Sequence, residues 1–285
     1  MTGSPVLPLR PLTIGELLDA AAAVLRSRWR VLLGMSFVLA LVEQIGMTTL
    51  RMLTVDEVKP QYTDEIVNSE LLAWLWIVIG MTTEIIIITV LSGPATRTAV
   101  AAVRGEDPAR LPTLTLTSQQ WGSVLLYSVI IGIAGLAAAA LCFLPWFVVF
   151  ALFGLSVPAL IADGLSPQQA LWRSPKLFKR SGGRTAWVRL LAYFTWLIIR
   201  LVITCGAVVL VQSGFIDFTT ILFDYFLVFL GLCYLAVNTA GYAMLACVDA
   251  VLHIETRVRT EGLDVVVSRM RDRGTPVDLT APEAR

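Results

Sequence analysis

Four ionisable residues stand inside long apolar stretches of this sequence: Glu43, Glu84, Arg200 and Asp224. Such groups are costly in hydrocarbon and are kept there as ion pairs, proton relays or contacts to a polar ligand. Counting about 1.5 Å per helical residue from the nearest basic flank places Glu43 roughly 18 Å deep, Glu84 roughly 13 Å and Arg200 roughly 19 Å. These depths allow Arg200 to pair with Glu43, Glu84 or both, while Asp224 falls nearer the opposite water interface. The expected role is a structural staple, in which losing one partner strands a charge in low dielectric. The alternative is a site for an ion, a proton or a polar substrate group. Asn238 can add an interhelical hydrogen bond, and Gly135 and Ala139 have the small-xxx-small spacing of closely packed helices.

Other chemistry is missing from the sequence. His253 is the single histidine, which excludes any site built on two imidazoles within one chain. The cysteines Cys142, Cys205, Cys233 and Cys247 lie in apolar segments without paired spacing and read as buried small residues. No phosphate-binding G-x-x-x-x-G-K-[ST] loop, G-x-S-x-G elbow or H-E-x-x-H pair occurs. Asp217 with Asp224, and Glu106 with Asp107, read as topology and turn features. No catalytic residue, cofactor, metal or nucleic-acid partner is expected.

The elements that must position the intramembrane charges follow from composition. Of 285 residues, 56% are apolar and 15% charged, with a mean hydropathy of +0.76. Ordinary soluble domains are roughly 45–50% apolar and about a quarter charged, so a bilayer is the solvent this chain suits. Proline and acidic residues within the first twenty positions argue against a cleavable signal peptide. Six stretches reach the length of about 20 residues that a span requires, near 31–50, 71–93, 121–143, 145–162, 187–212 and 220–249. Phe143-Leu144-Pro145-Trp146 suits a tight hairpin between the third and fourth, with Trp146 at interfacial depth. The expected fold is an all-α polytopic bundle of about six transmembrane helices. It forms a single membrane domain over residues 1–273, with a flexible cytoplasmic tail over 274–285.

Sidedness follows from the cations. Only Arg51, Lys59 and Arg200 fall outside the segments that a six-span topology places on one face, and the other 19 of the 22 Lys and Arg share that face. This asymmetry places both termini in the cytoplasm. The mildly acidic 51–70 segment then faces outward, and the expected location is a bacterial plasma membrane.

Three segments on the cytoplasmic side are not spans. Residues 13–29 read as an amphipathic helix opened by a Thr13/Glu16 capping box; it is expected either to lie in the membrane interface or to pack on the bundle. Ser166-Pro167-Gln168-Gln169 starts a second basic and aromatic helix, which Pro175 should kink or end. Val251 to Arg273 continues the last span, with a break near Gly262. Arg26, Arg28, Arg30, Arg173, Lys176, Lys179, Arg180, Arg257 and Arg259 are the candidate surface for anionic phospholipid or a protein partner.

Three motifs in register resemble a known group. The stretch from Arg10 to Ala20, RPLTIGELLDA, is similar to the opening of the bacterial "glycerophosphoryl diester phosphodiesterase membrane domain" family. PALIADGLSP from Pro158 with ALWRS from Ala170, and RVRTEGLD from Arg257, resemble its middle and closing motifs. Glu255 stands where the family usually carries Asp. A phosphodiesterase of that kind has a separate barrel domain with paired histidines and a metal, which this sequence does not offer. The resemblance therefore implies a membrane module without that chemistry. The expected function is non-enzymatic scaffolding or anchoring of partners in envelope or lipid metabolism. The alternative is a transporter or lipid-translocating protein using Glu43, Glu84 and Arg200.

Overall fold

A computed structural model describes residues 7–55, 63–107, 116–141, 143–213 and 220–280. The expectations attached to Asp56, Glu57, Lys59, Arg110, Cys142, Asp217 and residues 281–285 lie outside the described residues. So do those attached to the side chains of Arg51, Asp64, Glu65 and Asp224.

The chain forms helices α1 (Ile14–Ser27), α2 (Trp29–Val55), α3 (Thr63–Arg104), α4 (Ser118–Leu141) and α5 (Phe143–Phe153). They are followed by α6 (Ser156–Ala162), α7 (Pro167–Arg180), α8 (Arg184–Gln212), α9 (Thr220–Glu261) and α10 (Leu263–Asp272). No strand occurs among the described residues, so the fold is an all-α bundle. Six stretches are long and apolar enough to cross a membrane: Trp29–Leu50, Glu70–Arg104, Ser118–Leu141, Phe143–Ala162, Arg184–Leu210 and Val228–Glu261. Their outer faces carry exposed residues such as Val42, Ile133, Ile198 and Val202. That pattern suits a lipid solvent, in which apolar side chains need no cover.

Helix α9 is the hub, packing against α1, α2, α3 and α8, while α3 also carries α4 and α6. Thr82, Thr89, Ser92 and Thr96 are buried on α3, and each hydroxyl donates to the carbonyl four residues earlier. These bonds let polar side chains enter an apolar core without an unmet donor. The helix continues through Pro94 as far as Arg104.

The fourth apolar stretch is broken rather than continuous, because α5 ends at Phe153 and α6 starts at Ser156. Trp146 faces into the bundle: it is fully buried, stacks on Phe150 and donates its ring N–H to the Met81 carbonyl at 3.2 Å. Pro145 falls in the first turn of α5, where its missing N–H has no helical partner to lose.

At the basic end of the bundle, α1 turns its apolar face inward. Leu17, Ala21 and Val24 are buried against the bundle, chiefly on α9, which realises the packed alternative for this helix. Pro175 does not end α7, which runs on to Arg180. Gly262, at φ 64°, makes the left-handed break between α9 and α10 that a side chain would resist. The expected loose tail is instead docked from 277 to 280. Leu279 is 1% exposed, and its carbonyl accepts from Arg257 Nη1 at 2.6 Å.

Candidate functional site

Three polar centres are built into the apolar frame. The first gathers the predicted intramembrane charges. Arg200 on α8 forms an ion pair through Nη1 with Glu84 Oε1 on α3. Tyr193, two helical turns before Arg200, donates to Glu84 Oε2 at 2.8 Å. Glu43 on α2 is not paired directly with Arg200. It lies 2.8 Å from Thr83 Oγ1 and accepts from the Tyr242 hydroxyl at 2.7 Å. The Arg200 guanidinium sits over the Tyr242 ring, 5.5 Å from its centroid. Tyr242 on α9 thus stands between Glu43 and the Arg200–Glu84 pair. Glu84 is 3% exposed, as burial within four helices requires.

The second centre was not foreseen. Arg189, read from sequence as one of the cytoplasmic-loop cations, is 1% exposed and grips Asp249 on α9. Its Nε and Nη2 donate to the two carboxylate oxygens at 2.6 and 3.0 Å. The guanidinium lies 3.7 Å from the Phe150 ring centroid and fills the space beside Gly154, between α5 and α6. The Ser174 hydroxyl from α7 repairs the helix break: it donates to the Leu152 carbonyl at 2.5 Å and accepts from the Leu155 N–H at 3.1 Å. A signal was present in the sequence, since Arg189 and Asp249 both border apolar runs, but their separation of sixty positions concealed the pair.

The third centre ties down the basic end. Asp163, fully buried after α6, lies 3.2 Å from Arg173 Nε, 2.7 Å from Arg257 Nη1 and 2.8 Å from His253 Nε2. Arg173 and Arg257 also bond Glu261, at 2.5 and 3.0 Å, and Arg180 reaches it from outside at 3.4 Å. Burial alone would raise the Asp163 carboxyl. His253, Arg257 and Arg173 together outweigh that and hold it below the usual carboxylate value. Beside this network, buried Glu255 accepts from Arg184 and Arg259, and both arginines also donate to the Leu12 carbonyl, at 2.8 and 2.7 Å. The ends of α1, α7, α8 and α9 and the tail are thereby joined by charge-assisted hydrogen bonds, which are stronger than neutral ones.

This network corrects part of the predicted surface. Arg28, Arg173 and Arg257 are 7%, 2% and 4% exposed. Arg173 and Arg257 face inward because each has carboxylates to satisfy. Arg259 is spent on Glu255 although its edge is exposed. Arg26, Arg30, Lys176, Lys179 and Arg180 remain on the outside. On α7, Lys176 and Lys179 follow Trp172, which is 60% exposed, one and two turns along the same helix. With Gln168, Gln169 and Pro175 they line a shallow groove of about 630 Å³. Among the described residues, no group of three His, Cys, Asp or Glu is arranged to hold a metal ion.

No family model, curated protein or solved structure matches this chain.

Proposed function

We propose that this integral membrane protein is a non-enzymatic module that scaffolds or anchors partners in envelope or lipid metabolism, docking them on its cytoplasmic face. One observation carries the reading: the outer face of α7 presents exposed Trp172, followed at helical spacing by Lys176 and Lys179, over a groove. The inner face of the same helix is fixed by Arg173 and Ser174. An exposed aromatic is the residue type enriched at docking surfaces, and the two lysines beside it suit a partner of complementary, acidic charge. The positive-inside asymmetry supports a cytoplasmic position for this face. The resemblance of three segments to a bacterial membrane-domain family supports a plasma-membrane setting.

The test is a photo-crosslinking residue at position 172 of the full chain in its native membrane. A single discrete protein adduct is expected, weakened in the Lys176→Glu, Lys179→Glu variant. No protein adduct, or the same adduct from exposed Leu71 at the opposite end, would overturn the reading.

A further inference from the structure

Three tryptophans are exposed among the described residues: Trp29, Trp172 and Trp187. Trp29 and Trp187 stand at the basic ends of the first and fifth apolar stretches. Tryptophan concentrates where hydrocarbon meets water, because its ring is apolar and its N–H is a donor. Trp187 fits that position. Arg184 precedes it by one turn, while Leu191, Phe194 and Ile198 follow it on the same exposed face of α8. It marks the depth at which lipid gives way to water on this flank.

Side-chain contacts carry that depth across to Trp172. Arg189, two residues along α8 from Trp187, fills the space beside Gly154. The adjoining Leu155 donates its N–H to the Ser174 hydroxyl on α7 at 3.1 Å, and Ser174 is two residues from Trp172. Two helical residues rise only about 3 Å, so Trp172 and Trp187 stand close to one depth. Helix α4 gives the same level from the other side. Its Tyr127 hydroxyl donates to the Pro167 carbonyl at the start of α7. Around Tyr127 the exposed residues are Leu125, Leu126, Val129 and Ile130, an uncovered apolar flank of the kind lipid solvates. The inner side of α7 is held on the fourth apolar stretch, at Leu152 and Leu155. Its opposite side, with Trp172, Lys176 and Lys179, therefore looks away from that span and along the membrane plane.

We infer that α7 is an interfacial helix seated in the headgroup layer, and that the partner docked on it is a membrane-bound protein meeting it laterally through an acidic segment. This rests on the docking reading above and names the kind of partner. A basic helix face with an aromatic at this depth is surrounded by lipid headgroups wherever no protein covers it. A cytosolic protein must displace those headgroups to reach Trp172. A protein already in the membrane arrives by lateral diffusion, with its own interfacial residues at the matching depth. Carboxylates on that segment complement Lys176 and Lys179.

The depth is tested by placing a photo-crosslinking residue at position 172, 187 or 106 of the purified full chain in lipid nanodiscs. Glu106 is exposed beyond the end of α3. Mass spectrometry should find phospholipid adducts at 172 and 187 and none at 106. No lipid adduct at 172, or one equally abundant at 106, overturns the placement. The partner is tested in native membranes washed in high salt and returned to low salt before irradiation. The protein adduct at 172 should survive the wash, and its loss overturns a membrane-bound partner. Lipid adducts at 172 in nanodiscs without any protein adduct in native membranes overturn the docking reading and the partner, and leave the depth standing. A protein adduct without lipid adducts overturns the depth alone.

Discussion

The guanidinium of Arg189 occupies the space that a Cβ on Gly154 would fill. The pairing explains two features together: an arginine is buried inside the bundle, and the fourth span is interrupted where its glycine stands. The break between α5 and α6 gives the guanidinium room to reach Asp249 while lying against Phe150.

Gly154→Ala should therefore be among the most damaging single-methyl additions in the chain. It forces Arg189 off Asp249 and combines overpacking, about 1–3 kcal/mol, with a weakened buried pair. Unfolding in mild detergent should show the loss, and Gly122→Ala, with open space around it, should show little change.

Ser174→Ala removes the hydroxyl that serves the Leu152 carbonyl and the Leu155 N–H. Leaving buried backbone groups unsatisfied costs about 1–3 kcal/mol. Faster amide exchange at Leu155 is the local readout.

Asp163→Asn should destabilise the basic end by about 3–5 kcal/mol at neutral pH, the usual cost of breaking a buried ion pair. The acid dependence has a definite sign. The Asp163 carboxyl is held below its usual 3.8 in the folded chain. Its contribution is thus complete above 3.8 and lost as pH falls through the lower folded value. The stability gap between wild type and Asp163→Asn should close only in that acid range.

Glu16 is a second acid-sensitive group, at the start of α1. The Thr13 backbone N–H, the Arg10 guanidinium and the Thr13 hydroxyl hold its carboxyl down at about 2, against a usual 4.5. Between those two values the capping box should fail and the first turn of α1 should fray, seen as amide exchange at Glu16 and Leu17. Glu16→Gln should lack this dependence.

Lys176→Glu with Lys179→Glu should weaken the local enrichment of anionic lipid beside α7, measured for the embedded chain in mixed-lipid nanodiscs, by about 1 kcal/mol for each lysine removed at the surface, and more with reversed charge. Arg173→Gln would instead unfold the basic end, because Arg173 is buried on Asp163 and Glu261.

The sequence by itself determined the all-helical architecture and its six apolar stretches, because hydropathy and helix length act locally along the chain. The Thr13/Glu16 and Ser166/Gln169 helix starts were legible for the same reason, since each box closes over three residues. Depth counting also put Glu84 and Arg200 within reach of each other. Only the tertiary structure decided which cations point outward. Arg173 and Lys176 are three positions apart on one basic helix, yet Arg173 turns inward to Asp163 while Lys176 meets solvent. That choice depends on carboxylates up to 88 positions away, Glu261 among them. The Arg189–Asp249 pair and the docked Leu279 segment have the same origin. In a low-dielectric interior a charge or carbonyl is placed by whichever partner the packed helices bring to it, and sequence neighbours carry no record of that partner.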